Sequence, residues 1–418
     1  MKVLVITYYW PPAGGSGVQR WLKFVKYLQD FGITPVVYTV ENPDYPIEDA
    51  TLCDDVPKGI EVIKQPIWEP YQLMNVFSNQ KKVKTSAGFL GTKKSLLSRV
   101  ATYIRANYFI PDARMFWIQP SITFLEKYLS ENKIDAIIST GPPHSTHMIG
   151  LGLKKKLGIK WIADFRDPWT EIDYFHQLPL TQKSIKKHES LEQEVLKHAD
   201  EVLVVGNQMK KSYDVFSKNV HVITNGFDGE LSQQKELDKA FTITHVGMLN
   251  ADRNPLVLWE ALSVLKGKIN CKIQFIGKVA PEVKESIKKY KLLDYVTFVD
   301  YLPHDEVKKY QQKSQVLLLA VNNVPSAKGI VTGKIFEYLQ AQRPIIAIAP
   351  TDGDLAMILS NSKAGFVVDF NEVNKLKEIL VDLHEQYCSK GLTVNSVGVE
   401  QYHRKALTEQ LANIILRS

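Results

Sequence analysis

The chain has 418 residues, 44% of them hydrophobic, which is enough to bury a large core and suggests at least two domains. Its formal net charge is only +7, and its three cysteines lie far apart in the sequence. The absence of CxxC pairs and of histidines at metal-ligand spacing argues against a disulfide framework and a zinc site, and favours a reducing compartment. Because no run of about 18 uncharged apolar residues occurs and the first apolar run is too short for a signal peptide, we expect a cytoplasmic protein, able at most to rest on the inner face of the cell membrane.

Short apolar segments alternate with helical patterns along the whole chain, and this alternation predicts parallel sheets covered by helices on both faces. Thirteen strand candidates are many for one open sheet, and a polar spacer at 229–239 separates them into two groups. We therefore predict an α/β fold with two doubly wound, Rossmann-like domains at 1–230 and 231–395, followed by a C-terminal helix in 396–418. A TIM barrel is the alternative, but it requires one closed set of eight strands. The predicted strands are 2–7, 35–40, 60–65, 135–140, 160–165, 201–206, 220–224, 242–248, 271–277, 296–301, 315–321, 344–349 and 365–370.

A glycine-rich loop follows the first predicted strand and contains Gly14, Gly15 and Gly17. Where a strand leads into a helix, free backbone N–H groups favour a phosphate or a sugar. The spacing is GGxG and differs from the GxGxxG of dinucleotide-binding folds. A tight turn with no ligand is an equally good interpretation.

Residues 78–110 form a basic, partly apolar insertion. Between Glu69 and Asp112 the chain has seven basic residues and no acidic one. Residues 94–109 fit a basic amphipathic helix, which suits an anionic membrane surface or a groove on a partner protein. The alternative is a solvated insertion that packs on its own domain. We expect no nucleic-acid partner, because nothing else in the chain is typical of a nucleic-acid-binding module.

Polar side chains also follow two later strands of the first half. His144 comes after a Gly-Pro-Pro turn at the end of one strand, where it could face a ligand in a cleft. Arg166 and Asp167 follow the next strand, together with Asp164. Ion pairing of these two aspartates with Arg166 is at least as good an interpretation as catalysis.

In the second half, residues 325–350 combine a glycine loop, a helix ended by proline and a buried strand. Gly333 and Lys334 at the helix start favour a diphosphate, and Glu337 one turn later could bind hydroxyl groups. A simple surface ion pair between Lys334 and Glu337 is the alternative. Arg253, which follows the first strand of this half, could reach a phosphate. The Asp-Gly-Asp sequence at 352–354 has the form of a metal-binding motif, but a helix N-cap explains it better, and we expect no metal.

Several segments, taken in order, resemble glycosyltransferase family 4, a group of retaining nucleotide-sugar transferases with the GT-B fold. They are the glycine loop, ADFRDPW at 163–169, LEQEVLKHADEVLVV at 191–205, NGFD at 225–228, VGMLNADRN at 246–254 and GKIFEYLQAQRPIIAI at 333–348. The resemblance covers almost the whole chain. It implies two Rossmann-like domains facing a cleft, with the acceptor bound mainly by the first, the donor nucleotide mainly by the second, and a final helix that returns to the first.

By this resemblance, Glu337 matches the second glutamate of the family's E-x7-E motif, which binds the donor ribose. Gly329 stands where the first glutamate would be. Met248 replaces the arginine of the GRLxxxKG motif, and Arg253 replaces its lysine. Further donor contacts are predicted at Gly14, Gly15, Gly17, Gly247, Gly333 and Lys334.

The function implied is transfer of a sugar from a nucleotide-diphosphate donor, a UDP-sugar, to a hydroxyl of a saccharide or lipid-linked acceptor in cell-surface polysaccharide biosynthesis. The resemblance implies retention of configuration, with no metal and no cofactor. Arg253 and Lys334 would stabilise the departing diphosphate, and His144 or Asp167 would orient the acceptor. Two alternatives remain: a nucleotide-sugar epimerase of the same fold, and a binding protein that has lost catalysis.

Overall fold

The computed structural model describes residues 1–69, 96–233, 236–389 and 391–417. The chain divides into two compact units. The first contains Met1–Asn225 together with Arg404–Ser418, and the second contains Gly226–His403. The sequence placed its divisions after residues 230 and 395.

The first unit is built on a seven-stranded sheet in which all neighbouring strands are parallel. The strand order is β3-β2-β1-β4-β5-β6-β7. Its strands are β1 (Lys2–Ile6), β2 (Thr34–Val40), β3 (Glu61–Gln65), β4 (Ala136–Gly141), β5 (Lys160–Phe165), β6 (Glu201–Val204) and β7 (Val220–Val222). Its first six described helices are α1 (Ser16–Leu28), α2 (Leu96–Tyr108), α3 (Met115–Glu131), α4 (Ser145–Leu157), α5 (Gln182–His198) and α6 (Asn207–Tyr213).

The second unit has a six-stranded parallel sheet in the order β10-β9-β8-β11-β12-β13. Its strands are β8 (Phe241–Val246), β9 (Cys271–Ile276), β10 (Val296–Val299), β11 (Val316–Ala320), β12 (Ile345–Ile348) and β13 (Gly365–Val368). Its described helices are α7 (Leu256–Leu265), α8 (Pro281–Lys289), α9 (His304–Lys313), α10 (Lys334–Ala341), α11 (Asp354–Ser362) and α12 (Val373–Ser389). The predicted α/β class with two doubly wound sheets is confirmed, and each predicted strand overlaps an observed one.

The last described helix, α13 (Arg404–Arg417), packs in the core of the first unit. Leu407, Leu411 and Ile415 of α13 are buried in the same apolar cluster as Trp21 and Leu22 of α1. Complete burial of one such aliphatic side chain contributes about 1.5–3 kcal/mol. The apolar face of α1 therefore depends on a helix that lies almost four hundred residues away in the sequence. No helix in the described part of the chain combines the length and apolar character needed to cross a bilayer.

In each sheet there is one pair of neighbouring strands whose following connections run towards opposite ends of the sheet. In the first unit this pair is β1 and β4, and in the second it is β8 and β11. The loops that leave the carboxyl ends of these strands diverge, so a crevice forms there in doubly wound folds. The glycine loop and His144 follow β1 and β4, and the segment beginning at Gly247 follows β8.

A buried ion pair holds the loops of the first unit together. Asp164, at the end of β5, lies 2.8 Å from Arg20 Nη2 and accepts hydrogen bonds from Trp21 Nε1 at 2.6 Å and Thr140 Oγ1 at 2.8 Å. Burial alone would raise the pKa of Asp164, but Arg20 and these hydrogen bonds hold it below its usual value. The ion pair and the Thr140 hydrogen bond together link α1, β4 and β5 at the carboxyl edge of the sheet.

Removing Asp164 should leave the guanidinium of Arg20 buried without its carboxylate. We expect Asp164→Ala to lower the free energy of unfolding by about 3–5 kcal/mol, measured by urea denaturation. Glu126→Ala, which removes the exposed partner of Lys156, is the control and should change it by less than about 1 kcal/mol. Equal effects of the two substitutions would contradict the structural role of Asp164.

Candidate functional site

In the second unit, strands β8 and β11 separate towards their carboxyl ends. They pair at only two positions, near their starts. Beyond these, side chains bridge the gap: the carbonyl of Leu318 accepts hydrogen bonds from Tyr338 Oη at 3.2 Å and His245 Nδ1 at 3.0 Å. The Tyr338 hydroxyl also accepts a hydrogen bond from the backbone N–H of Val246 at 3.0 Å. These contacts hold the carboxyl ends of β8 and β11 in place where the two strands are no longer paired through their backbones.

Lys334, the first residue of α10, lies across Gly247 at the end of β8. Gly247 has φ +100°, and a Cβ at this position would come within 2.3 Å of Lys334 Cε and 2.7 Å of its Nζ. The positive φ favours glycine, and a larger residue would also push the end of the Lys334 side chain away from this position. The sequence predicted that Gly247 and Lys334 serve one ligand, and the structure places them in contact.

A second cation stands beside Lys334. Arg253 Nε donates to Asn322 Oδ1 at 3.0 Å, and its Nη1 donates to the carbonyl of Met248 at 3.3 Å. Burial, with the charge of Arg253, lowers the pKa of Lys334 to about 8, and the carboxylate of Glu337 opposes this shift. Lys334 is therefore mostly protonated at pH 7, with a second positive charge close enough to repel it. An anion bound here would relieve this repulsion.

Glu337 lies one turn after Lys334 on α10. Its Oε2 accepts a hydrogen bond of 3.2 Å from Gln311 Nε2, and Gln311 is buried on α9. Glu337 and Lys334 are both partly buried, unlike a solvated surface pair. The carboxylate is thus held in place near the charge of Lys334, and a carboxylate can accept hydrogen bonds from ligand hydroxyls.

The start of α10 is open. A Cβ on Gly333, the residue before the helix, would contact nothing within 4 Å, so there is free space at the helix N-terminus. Gly329 lies in the 3-10 turn Ala327–Gly329, and Asp352 pairs with Lys328 at 2.5 Å. Asp354 is the first residue of α11. Among the described residues, no group of three or more His, Cys, Asp or Glu side chains could hold a metal ion.

In the first unit, His144 is held against an aromatic support. Its ring stacks on Trp169 with centroids 4.3 Å apart and planes 1° from parallel. The indole N–H of Trp169 donates to His188 Nδ1 at 3.1 Å, and buried Glu192 accepts a hydrogen bond of 3.2 Å from the backbone N–H of Trp169. Burial lowers the pKa of His144 well below its usual value. This imidazole is therefore neutral near pH 7.

Arg166 binds three backbone carbonyls, one at the start of α1 and two at the end of β4. It donates to the carbonyl oxygens of Gly17, Gly141 and Pro142. Both aspartates of the suggested pairing act on Arg166 through their charges, Asp167 more strongly than Asp164, but the hydrogen-bonded arginine partner of Asp164 is Arg20. Arg166 thus organises the strand ends, and the charge of the neighbouring Asp167 acts on it.

The three glycines after β1 have structural explanations of their own. A Cβ on Gly14 would lie 2.8 Å from Ile47 Cγ2, and one on Gly17 would lie 2.6 Å from Arg166 Nη1. Gly15 has φ +90° and precedes α1. Their contact with a donor stays a prediction.

The structure groups the predicted site residues by unit. The first unit contains Gly14, Gly15, Gly17, His144 and Asp167, and the second contains Gly247, Arg253, Gly333, Lys334 and Glu337.

Sequence reasoning missed several supporting residues. Asn322 follows β11, so the rule that polar residues gather at the carboxyl ends of parallel strands could have found it. Trp169 stood in a motif that was noticed, but its stacking on His144 was not foreseen. Gln311 gives no local signal, because it lies inside an ordinary polar helix.

Comparison with known proteins supports the same architecture. Residues 228–390 match the family model described as Glycosyl transferases group 1. No curated protein matches the chain. Among solved structures, Anabaena HepE in complex with UDP has a TM-score of 0.64 at 14% identity and covers 100% of both chains. Sucrose-phosphate synthase from Thermosynechococcus elongatus has a TM-score of 0.61 at 14% identity, covering 100% of this chain and 98% of that one.

The lipopolysaccharide glycosyltransferase WaaG has a TM-score of 0.55 at 14% identity, again covering 100% of both chains. The fold is GT-B. The predicted fold class is confirmed, and the matched segment together with the GT-B fold supports a GT-B glycosyltransferase.

The charges around Lys334 can be tested without a ligand. We expect the amine of Lys334 to have a pKa of about 8. The titration can be monitored by NMR of protein labelled with ¹³C at lysine Cε. Glu337→Gln should lower this pKa, because an attractive negative charge is lost, and Arg253→Gln should raise it, because a repelling positive charge is lost. Lys334→Arg assigns the signal. Shifts in the same direction for the two variants would contradict the described arrangement.

Proposed function

We propose that this protein is a retaining glycosyltransferase that moves a sugar from a UDP-sugar to a hydroxyl of a saccharide or lipid-linked acceptor in cell-surface polysaccharide biosynthesis. The observation that carries the proposal is the cluster of Lys334, Arg253 and Glu337 at the open start of α10. This cluster offers two cations for a diphosphate and a fixed carboxylate for hydroxyl groups. The similar fold of HepE, solved with UDP and with UDP-glucose, supports the choice of donor.

The proposed chemistry follows from where charge develops. Cleavage of the bond between the anomeric carbon and the diphosphate oxygen leaves negative charge on the departing UDP and positive charge on the sugar. Lys334 and Arg253 would stabilise the departing UDP. With these cations in place, we propose that the transfer is metal-independent and needs no cofactor.

Retention is what the resemblance to the family implies, and because no carboxylate among the described residues is identified as a nucleophile for the sugar, we favour front-face attack over a two-step route through a sugar–enzyme bond. The acceptor hydroxyl would then attack the anomeric carbon on the face from which the diphosphate departs, and its proton would pass to the departing phosphate oxygen. We assign acceptor orientation to His144 and Asp167, the residues that follow β4 and β5 in the first unit. Gly329 replaces the family's glutamate near the donor sugar, so other groups would bind the transferred sugar, and Lys334 would supply the positive charge that Met248 lacks at the diphosphate.

Incubation of the purified protein with a panel of nucleotide sugars tests the proposal. Slow hydrolysis of one donor, or transfer to an added acceptor, supports a glycosyltransferase. Interconversion of two sugars would identify an epimerase instead. Binding of a nucleotide sugar without hydrolysis, and without transfer to any acceptor extracted from cell envelopes, would identify a binding protein.

Glu337 and Lys334 should affect different parts of the donor. Glu337→Ala should weaken UDP binding roughly 10- to 100-fold, because a charged hydrogen-bond acceptor for the ribose is lost. It should not weaken binding of inorganic pyrophosphate, which has no ribose. Lys334→Ala should weaken binding of both ligands. Isothermal titration calorimetry measures the four affinities.

Glu378→Ala, at an exposed position on α12, is the control and should bind both ligands like the unchanged protein. Unaltered UDP affinity in Glu337→Ala would show that the nucleotide binds elsewhere.

We also propose that the protein contacts an anionic membrane on its cytoplasmic side. Residues 78–95 of the predicted basic insertion lie outside the described residues, but its last part is α2. This helix exposes Val100, Tyr103 and Ile104 by 50%, 44% and 44%, next to exposed Arg99 and Arg105. Apolar side chains flanked by arginines suit the interface of an anionic bilayer.

Two charges on the exposed apolar face of α2 should reduce membrane binding. We expect the double variant Val100→Asp/Ile104→Asp to have a partition coefficient onto phosphatidylglycerol vesicles at least about tenfold lower than that of the unchanged protein. The coefficient is measured from the fraction of protein that sediments with the vesicles. Val215→Asp is the control, because Val215 is 77% exposed but belongs to another part of the first unit. Sedimentation of the double variant equal to that of the control would refute the proposal.

A further inference from the structure

The exposed apolar stripe of α2 ends at the residue that fastens this helix to another loop. The stripe and its last member recur at the spacing of one helical face: Val100, Tyr103, Ile104 and Asn107. Asn107 Nδ2 donates to the carbonyl of Pro179 at 2.8 Å, and its Oδ1 accepts a hydrogen bond of 2.7 Å from the backbone N–H of Thr181. The stripe therefore runs up to the end of the loop that joins β5 to α5.

The β5–α5 loop, residues 166–181, also carries Asp167, one of the two residues proposed to orient the acceptor. Tyr174, in the same loop, is half exposed. Partial burial, together with the charges of Asp167 and Asp173, raises the pKa of Tyr174 to about 12, and the charge of Arg105 opposes this shift. Tyr174 is therefore near enough to Asp167 and to Arg105 of α2 for both charges to act on it.

A second connection joins the end of α2 to His144. Asp112, which follows α2, accepts hydrogen bonds of 2.8 Å from the backbone N–H and from the hydroxyl of Ser145. Ser145 comes directly after His144 and begins α4. Hydrogen bonds thus fasten α2 and the segment after it to the loops that carry His144 and Asp167.

Aromatic side chains extend the apolar surface beyond the end of α2. Phe109, the residue after this helix, contacts the ring of Phe116, and Phe116 meets Trp68 edge to face with centroids 4.7 Å apart. Trp68, Phe116 and Tyr108 are exposed. Tryptophan and tyrosine are typical of the boundary between a bilayer and water. Residues 70–111 include no acidic side chain, which favours anionic lipid head groups.

We propose that the acceptor is a saccharide linked to a membrane lipid, and that it reaches Tyr174, Asp167 and His144 from the membrane that α2 contacts. Such a saccharide is held beside these residues, which raises its effective concentration, whereas a free saccharide gains nothing from α2. The ring of Tyr174 offers an apolar face to the sugar, and Asp167 accepts hydrogen bonds from its hydroxyls. This acceptor class rests on the proposed glycosyl transfer.

The reaction leaves its product in the membrane. The bond between the anomeric carbon and the diphosphate oxygen breaks, and a bond forms from that carbon to a hydroxyl oxygen of the lipid-linked saccharide. The hydroxyl proton leaves with UDP. The same lipid then carries one more sugar.

Transfer to two extracts of the same cell envelopes tests the acceptor class. One sample contains phosphatidylglycerol vesicles that include the lipid extract, and the other contains plain phosphatidylglycerol vesicles with the water-soluble saccharides. With a radiolabelled UDP-sugar, we expect label to enter lipids of the first sample at least about tenfold faster than it enters saccharides of the second. Equal rates, or label in water-soluble saccharides alone, would overturn the proposal.

The role of α2 is tested with the same vesicles. Val100→Asp/Ile104→Asp should lower transfer to the lipid-linked acceptor at least about tenfold, and by a larger factor than it lowers hydrolysis of the donor alone. Val215→Asp is the control and should transfer sugar like the unchanged protein. Equal losses of transfer and hydrolysis in the double variant would contradict presentation of the acceptor by α2.

Acceptor binding is measured without donor, so this arm does not require catalysis. We expect the protein to sediment with vesicles that include the lipid extract about fivefold more tightly than with phosphatidylglycerol alone. Tyr174→Ala should remove this difference, whereas Tyr174→Phe, which retains the ring, should preserve it. No difference for the unchanged protein, or the same difference for Tyr174→Ala, would overturn the proposal. An absence of sugar transfer with the expected binding would count against the proposed function alone.

Discussion

Parallel strand pairing is the constraint on which both units depend. Because neighbouring strands run in the same direction, each connection must return along the sheet, and all strand ends of one kind gather at one edge. The chain follows this rule twice, with β1 and β8 in corresponding central positions of their sheets. His144, Asp167 and Arg253 follow the carboxyl ends of strands, and Lys334 and Glu337 lie in the first turn of α10, which comes after β11. The sites are thus consequences of topology before they are consequences of sequence.

The charges of the polar groups at these edges differ between the two units. In the first, the buried polar groups are kept uncharged or fully paired: His144 and His147 are neutral, and Asp164 is compensated by Arg20 and hydrogen bonds. In the second, Arg253 and Lys334 repel each other and remain partly buried. The first arrangement suits directional hydrogen bonding to neutral hydroxyls, and the second suits a multiply charged anion.

The sequence alone reveals features whose physical cause lies in residues close together in the chain, and it does not reveal contacts between distant segments. Strands such as β11 and β12 are runs of buried aliphatic residues, so composition and length suffice to find them. Lys334 and Glu337 stood out because one helical turn separates them. The bond between Arg20 and Asp164 joins residues 144 positions apart, and no periodic pattern predicts such a contact. Likewise, the glycines after β1 could be noticed, but the neighbours that require them come from distant segments.

The place of α13 has a consequence for how the chain acquires its structure during synthesis. The apolar face of α1 is synthesised before the second unit, Gly226–His403, whereas the helix that covers it is synthesised only after that unit. At roughly 5–20 residues per second, that delay is on the order of ten to forty seconds. During this interval the second unit can fold to completion, while the first has an exposed apolar groove. Chaperone binding and premature self-association should therefore concentrate on nascent α1, and translation speed through the second unit sets how long this vulnerability lasts.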